Sequence, residues 1–186
     1  MVDKTYNFIV NKLELASTLS GGPLRKVMGD LVEDMIDFIW YETSLKYPAV
    51  NNKITIGKQT PIIISNKGGS IKESVDRHCF INNKMVLCIE CKTYLDKCYM
   101  QRADSDFALM KEGANFDAII VSLENGIGDD SYNFFKQRNN IDDVFYLADG
   151  KRKSTNHISH NIERINKEKI AILIDKIESY FKEANN

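Results

Sequence analysis

The sequence contains no hydrophobic run that approaches the roughly 20 apolar residues of a membrane-spanning helix, and its N-terminus lacks the pattern of a signal peptide. We therefore expect a cytoplasmic protein with no membrane partner. In that compartment its four cysteines would stay reduced, namely Cys79, Cys88, Cys91 and Cys98.

A basic excess is also missing, since 25 lysines and arginines stand against 26 aspartates and glutamates and leave a formal net charge of −1. A protein that binds DNA on its own usually carries such an excess, because its cations displace counterions from the phosphates. If this chain acts on DNA, either a local basic patch or a second protein must supply most of the affinity.

The motifs of several common enzyme classes are absent as well. The chain has no Gly-rich phosphate loop, no Gly-x-Ser-x-Gly elbow and no His-Glu-x-x-His run. It also has no internal repeat, low-complexity tract or linker, and its hydrophobic and charged fractions of 43% and 27% are those of an ordinary globular protein. We expect residues 1–186 to form a single domain.

The most informative feature that is present is a predicted β-hairpin over residues 76–92. Two apolar segments flank the polar turn Asn82-Asn83-Lys84. Because side chains alternate along a strand, Glu90 and Lys92 should share one face and Cys91 should take the other. Antiparallel pairing should bring Asp76 beside Glu90.

Two carboxylates and a lysine at one place indicate a particular chemistry. Adjacent carboxylates repel each other unless a cation lies between them, and oxygen ligands suit a hard ion such as Mg²⁺. The lysine can position a water molecule or neutralise charge on a phosphate. The residues therefore favour metal-assisted hydrolysis of a phosphodiester.

The spacing Asp76…Glu90-x-Lys92 resembles the PD-(D/E)xK nucleases, although Val75 stands where that family often has proline. The resemblance implies a three-layer α/β/α fold of restriction-endonuclease type, with a central mixed sheet of four to five strands. It implies that Asp76, Glu90 and the backbone carbonyl of Cys91 bind Mg²⁺ and that Lys92 positions the attacking water. The expected products carry a 5′-phosphate and a 3′-hydroxyl.

An acidic stripe lies on the helix predicted from Leu24 to about Lys46, and a solvated surface is its ordinary interpretation. Within it, Gly29-x-x-x-Glu33 resembles the helix that precedes the hairpin in many such nucleases. That resemblance implies that Glu33 holds a water molecule near the metal.

The other elements follow from periodicity and turn signals. We expect a strand pair from Ile54-Thr55-Ile56 and Ile62-Ile63-Ile64, a flexible loop over residues 66–70, and strands at 116–123 and 144–147. Helices are predicted at about 3–19, 94–112, 129–138 and 160–183. The apolar stripe of the last helix should pack in the core, and it consists of Ile170, Leu173, Ile174, Ile177 and Phe181.

Two groups of residues are candidates for DNA contact. Gln101 and Arg102 lie on the helix that follows the lysine strand, where the family often carries a glutamine or a basic residue. Lys151, Arg152 and Lys153 belong to the one dense basic run in a predicted loop. For both groups a solvated surface is the alternative interpretation.

The sequence contains two other possible metal-binding features. Cys88-x-x-Cys91 has a spacing that binds zinc elsewhere, but residues three apart on a strand point to opposite faces, so buried packing explains these cysteines better. His78 shares the face of Asp76 by alternation and is a minor candidate for the metal site. A lone histidine on a strand is more often a structural hydrogen-bonding residue.

The chain resembles the small subunit of a heterodimeric type IIS restriction endonuclease. The resemblance rests on its size, its near-neutral charge and the absence of an appended DNA-reading module. In such an enzyme a large nicking subunit recognises the site on double-stranded DNA and the small subunit cuts the second strand. Two alternatives remain open: a self-sufficient homodimeric nuclease or junction resolvase of the same fold, and a non-catalytic binding protein on that fold.

Overall fold

The computed structural model describes residues 1–66, 69–152 and 158–186. The helices are α1 (Val2–Ser17), α2 (Gly21–Ser44), α3 (Lys97–Gly113), α4 (Asp129–Lys136) and α5 (Lys167–Asn185). The strands are β1 (Asn52–Ile56), β2 (Ile62–Asn66), β3 (Gly69–Glu73), β4 (Arg77–Ile81), β5 (Lys84–Leu95), β6 (Asp117–Asn125) and β7 (Asp143–Tyr146). In these described ranges, no helix is long and apolar enough to span a membrane.

Five strands form one mixed sheet in the order β1-β4-β5-β6-β7. The pairs β1–β4 and β4–β5 are antiparallel, whereas β5–β6 and β6–β7 are parallel. Helix α3 connects β5 to β6 and α4 connects β6 to β7, as expected for parallel crossovers.

The two faces of the sheet bury separate hydrophobic cores. One core packs α1, α2 and α5 against strand residues such as Ile89, Cys91 and Val121. The other packs α3 and α4 against residues such as Cys88 and Ile120. The chain is therefore a mixed α/β protein with a five-stranded central sheet between two helical layers, as expected of a restriction-endonuclease-like fold. The predicted stripe on α5, from Ile170 to Phe181, is buried throughout.

The turn of the β4–β5 hairpin forms as the sequence predicts. Asn82 and Asn83 adopt φ angles of +50° and +62°, the left-handed region that tight hairpin turns require. Asparagine adopts this region more readily than most residues, because its short polar side chain can bond to the local backbone. The turn joins two strands that pair from Arg77↔Ile89 to Ile81↔Lys84.

The predicted pairing of the two early strands was wrong. Strand β1 pairs with β4, with Ile54 opposite Cys79, and so completes the edge of the main sheet. Strand β2 instead pairs with β3 in a separate two-stranded sheet, where Ile64 is opposite Ile71. The physical reason is that Ile62 and Ile64 are buried in the core around α3, on the other side of the molecule from α2.

The predicted loop over residues 66–70 was wrong in part, because Gly69 and Ser70 belong to β3 and Asn66 to β2. Lys67 and Gly68 lie outside the described residues. Two helix starts also lie later than predicted. Strand β5 continues to Leu95, and Asp96 then caps α3 by accepting a 2.9 Å hydrogen bond from the backbone N–H of Tyr99.

The last helix begins at Lys167 and not at His160. Its N-cap is Asn166, whose Oδ1 accepts hydrogen bonds from the N–H groups of Glu168 (2.8 Å) and Lys169 (3.3 Å). The preceding residues form two short 3₁₀ turns, Ile158–His160 and Ile162–Arg164. Such turns do not have the periodicity by which helices are recognised in a sequence.

Candidate active site

The site lies where β4 begins, beside β5, which is the central strand of the sheet. Arg77 pairs with Ile89, so Asp76, which immediately precedes β4, comes beside Glu90. Glu90 and Lys92 lie at alternate positions of β5 and point to the same face. The structure thus brings together the three side chains whose proximity the sequence predicts.

The ammonium group of Lys92 marks the centre of the site. It lies 2.5 Å from Oε1 of Glu90 and 3.3 Å from Oδ2 of Asp76, and it donates a 3.0 Å hydrogen bond to the carbonyl oxygen of Cys91. The backbone N–H of Cys91 in turn donates to Oδ2 of Asp76 at 2.8 Å. Three oxygens, two of them from carboxylates, therefore surround one cationic centre.

This donor set fits a hard divalent cation. Among the described residues, no group of three or more histidine, cysteine, aspartate or glutamate side chains is arranged to hold a metal. An ion at this place would use the carboxylates of Asp76 and Glu90 and the Cys91 carbonyl, and it would need further oxygens from water or a phosphate. Such a partial oxygen shell is typical of Mg²⁺.

Burial governs the protonation of these groups. Removal from water raises the pKa of Glu90, and the negative charge of Asp76 raises it further. For Lys92, burial alone would lower the pKa, but the charges of Glu90 and Asp76 outweigh that effect and the pKa is raised. Lys92 is therefore a cation at neutral pH, and it compensates the charge of the acidic pair.

Glu33 reaches the same region from α2. Its Oε2 accepts a 2.6 Å hydrogen bond from Nη1 of Arg77. Burial raises the pKa of Glu33, although the bond from Arg77 opposes the shift. Glu33 and the Asp76–Glu90–Lys92 group line a common cavity of about 340 Å³.

The cavity has further walls that the sequence did not indicate. Lys58 follows β1, Ser74 and Val75 precede Asp76, and Asp106 lies on α3. Arg102 also lines the cavity, with its Nε 3.6 Å from Oδ2 of Asp106. Of the two candidates on α3, the structure therefore brings Arg102 to the site and not Gln101.

Gln101 faces a different cavity, between α3 and α4, which it lines together with Phe134 and Arg138. Helical periodicity explains the difference, because adjacent residues of a helix point about 100° apart. Among the basic residues of the predicted loop, Lys151 pairs with Asp129 at 3.0 Å, and Arg152 stacks on the ring of Tyr94 with 3.7 Å from its guanidinium carbon to the ring centre. Neither lines the cavity around Asp76. Lys153 lies outside the described residues.

His78 was a minor candidate for the metal site, and the structure places it elsewhere. The ring is fully buried, with Nδ1 3.0 Å from the carbonyl oxygen of Thr60, and Nε2 accepts a 3.5 Å hydrogen bond from the N–H of Val75. Burial lowers its pKa, so the ring is neutral at physiological pH. His78 is therefore a structural residue that ties β4 to the segment after β1.

The rival zinc interpretation is excluded for Cys88 and Cys91. Cys88 is buried in the core around α3, whereas Cys91 is buried in the core around α2. Burial raises the pKa of both thiols. The two sulfurs lie on opposite faces of the sheet, as alternation predicts, and cannot bind one ion.

The sequence signals missed one central residue, Arg77. It is the first residue of β4, and its side chain, which is 6% exposed, points towards α2. Two sequence features indicate this pairing. Arg77 must point to the face opposite Asp76 because adjacent residues of a strand alternate. Glu33 and Asp37 are one helical turn apart on α2 and so form a pair of acids on one side of that helix. A buried arginine beside two such acids is the expected pairing.

The sequence matches no protein-family model. Part of it is similar to a curated protein, the type II restriction enzyme DdeI of Desulfomicrobium norvegicum, with 41% identity over 58 residues. The matched segment is 31% of this chain and 24% of DdeI, so the chain covers about a quarter of that relative's length. This partial similarity supports a relationship between the chain and the type II restriction endonucleases.

Proposed function

We propose that the chain is a magnesium-dependent endodeoxyribonuclease of the PD-(D/E)xK type, which hydrolyses a phosphodiester bond in one strand of double-stranded DNA. The observation that carries the proposal is the convergence of Asp76, Glu90 and the Cys91 carbonyl on the ammonium of Lys92. Partial similarity to a type II restriction enzyme supports the same class of activity.

Each residue has a role that its geometry supports. Asp76, Glu90 and the carbonyl of Cys91 would hold Mg²⁺, which would supply positive charge near the phosphate. Lys92 remains protonated, so it acts as a donor that positions the attacking water and neutralises charge on the phosphate. Glu33 is held by Arg77 at the wall of the cavity and orients a second water.

The reaction is an in-line displacement at phosphorus. The water oxygen forms a bond to phosphorus and gives up one proton to solvent, the bond from phosphorus to the 3′ oxygen breaks, and that oxygen takes up a proton from solvent. The products are a 5′-phosphate and a 3′-hydroxyl. A charged lysine beside two carboxylates that could hold a cation matches this chemistry, because negative charge grows on the phosphate oxygens during the attack and positive charge stabilises it.

We further propose that the chain acts as the small subunit of a type IIS heterodimer, whose large subunit recognises the site and nicks the other strand. Two observations support this arrangement. The chain has a formal net charge of −1. Four acidic side chains and three basic ones line the described cavity, namely Glu33, Asp76, Glu90, Asp106, Lys58, Lys92 and Arg102. Such a balance favours a partner that supplies most of the affinity for DNA.

The experiment is a plasmid assay of the purified chain with Mg²⁺, with and without a candidate large subunit. We expect little or no cleavage by the chain alone and double-strand cleavage when both subunits are present. Cleavage by the chain alone would instead identify a self-sufficient nuclease of this fold. A failure to cut under every condition, together with no Mg²⁺ bound at Asp76 and Glu90, would identify a non-catalytic binding protein.

A further inference from the structure

The side chain of Arg77 donates four hydrogen bonds, three of them to carboxylates. Its Nε and Nη2 donate to the two oxygens of Asp37 at 2.7 and 2.9 Å. Its Nη1 donates to Oε2 of Glu33 at 2.6 Å and to the backbone carbonyl of Asp76 at 3.0 Å. One buried guanidinium therefore joins two acids of α2 to the residue that begins the active site.

The backbone of Asp76 is fixed from a second side. Its carbonyl also accepts a 3.2 Å hydrogen bond from the N–H of Gly57. A Cβ atom at Gly57 would lie 1.8 Å from the carbonyl oxygen of Val75, so only glycine allows this close approach. Arg77 and Gly57 thus hold the segment that presents the Asp76 carboxylate to Lys92.

Apart from Asp106, which pairs with Arg102, the acids in and beside the cavity fall into two sets, each with its own cation. Asp76 and Glu90 surround the ammonium of Lys92. Glu33 and Asp37 surround the guanidinium of Arg77. The two sets are close enough that the charge of Asp76 raises the pKa of Glu33. Four carboxylates in such proximity could hold two divalent ions if nothing else neutralised them.

We propose that Arg77 is a positioning residue that takes the place of a second cation, so that the site binds one divalent ion, at Asp76 and Glu90, and Glu33 is kept out of direct contact with it. This inference rests on the proposed magnesium-dependent nuclease. It assigns Glu33 to the orientation of water, because one of its oxygens is already bound by the guanidinium.

The two sets differ in how easily an ion could replace the resident cation. Lys92 has a flexible side chain that is 21% exposed at the cavity, and its ammonium is a single point charge. Arg77 is 6% exposed and binds Asp37 through two parallel hydrogen bonds. A planar guanidinium that is itself buried and bound in a bidentate way is much harder to displace than a single ammonium. The divalent ion therefore takes the Lys92 set.

Removal of the guanidinium should create a second ion site. In an Arg77→Ala variant the carboxylates of Glu33 and Asp37 would face each other across the vacated space, and their repulsion would favour a cation between them. Carboxylate oxygens are the ligands that Mn²⁺ and Mg²⁺ prefer. The variant should therefore bind two ions and gain thermal stability on Mn²⁺ addition.

The test counts bound Mn²⁺ by calorimetry and by electron paramagnetic resonance, without DNA, on folded protein as judged by circular dichroism. We expect one ion for wild type, none for Asp76→Asn, a doubled count for Arg77→Ala, and a return to one for Arg77→Ala combined with Glu33→Gln. Arg77→Lys retains the charge and should keep one ion. The matched control is Arg164→Ala, which removes the 2.8 Å pair of another arginine with the buried Glu124. It should leave the count at one.

A second variant keeps the test decisive if Arg77→Ala does not fold. Glu33→Gln in the wild-type background should still bind one Mn²⁺, with an affinity lowered by less than about 100-fold, the range for a residue that acts on the ion through water. Two ions on wild type, a loss of about 100-fold or more in affinity for Glu33→Gln, or an unchanged count in folded Arg77→Ala would each overturn the inference and leave the nuclease proposal standing. No ion on wild type would overturn both.

Discussion

The backbone N–H of Cys91 donates a 2.8 Å hydrogen bond to Oδ2 of Asp76. The position of the Asp76 carboxylate is therefore set by the backbone of the central strand and does not depend on a flexible neighbour. Such support gives a site its geometry before substrate arrives, which is the condition for strong electrostatic stabilisation of a transition state.

Replacement of Asp76 by asparagine should separate this structural role from the chemical one. The amide oxygen can still accept the bond from Cys91, so we expect a change in the free energy of unfolding of about 1 kcal/mol or less. Cleavage should fall by roughly 100-fold or more, because a charged ligand is lost. Urea denaturation and a plasmid assay measure the two effects. A variant that cuts at the wild-type rate would show that Asp76 binds no essential ion.

The activity should be sensitive to acid. Burial and the neighbouring charge of Asp76 raise the pKa of Glu90, so its neutral form persists above the usual glutamate value of about 4.3. Only the ionised form binds a cation well, hence Mn²⁺ affinity should decline as the pH falls, starting above that value. Titrations between pH 5 and 8 measure this. An affinity that stays constant across the interval would remove Glu90 from the ligand set.

Metal removal gives a third prediction. Cleavage should stop in EDTA and return with Mg²⁺ or Mn²⁺, because the oxygen donors at Asp76 and Glu90 suit hard ions. A chelator selective for zinc should have no effect, since Cys88 and Cys91 lie in different cores. Loss of activity with that chelator, restored by zinc alone, would refute the assignment of the ion.

A fourth prediction concerns how α5 is held to the sheet. Asp117, at the start of β6, accepts hydrogen bonds from the hydroxyl of Tyr180 at 2.5 Å and from Lys176 at 3.2 Å. Burial raises the pKa of Asp117, but these bonds outweigh it and the pKa is lowered. The stabilisation is therefore present above the unfolded-state pKa of aspartate and is lost as the pH falls through the lower folded value.

The Asp117→Asn variant tests this linkage. It should be less stable than wild type at pH 7 by about 1 kcal/mol or less, because the carboxylate is partly exposed and screened by water. The difference should shrink as the pH falls towards 3. Tyr180→Phe is the matched control, as it removes one bond without the charge. Equal stability of variant and wild type at pH 7 would contradict the predicted role.

The hairpin and its neighbouring residues could be predicted because their signals are local. Alternation along β5 assigns Glu90 and Lys92 to one face, and the Asn82-Asn83 turn joins the two strands. The register of the turn alone would place Asp76 opposite Ile89, and a register shift between Cys79 and Phe80 brings it beside Glu90. The periodicity of α5 likewise identified its buried face correctly. The shared face of Glu90 and Lys92 therefore follows from local rules, whereas the bulge that aligns Asp76 with them has no signal in the sequence. The roles of the three side chains remain a proposal.

The features that were missed depend on contacts between distant segments. The partner of β1 is β4, which lies beyond an entire two-stranded sheet in the sequence, and no local pattern distinguishes that pairing from one with β2. The environment of Arg77 depends on α2, more than thirty residues earlier. Alternation assigned His78 to the correct face of the strand. Its hydrogen-bond partners are the Thr60 carbonyl oxygen and the Val75 N–H, and these groups approach the ring only in the complete fold.

The cleavage rate of a Lys92→Ala variant tests the proposed site most directly. It should be measured with Mg²⁺ in the form of the enzyme that cuts DNA, beside wild type and a Lys111→Ala control. Lys111 is a fair match, since its side chain is 25% exposed against 21% for Lys92 and it also pairs with a carboxylate, that of Asp142. We expect a fall of roughly 100-fold or more for Lys92→Ala, with partner association intact, and a change within about twofold for Lys111→Ala. Unchanged cleavage by folded Lys92→Ala would contradict the proposal.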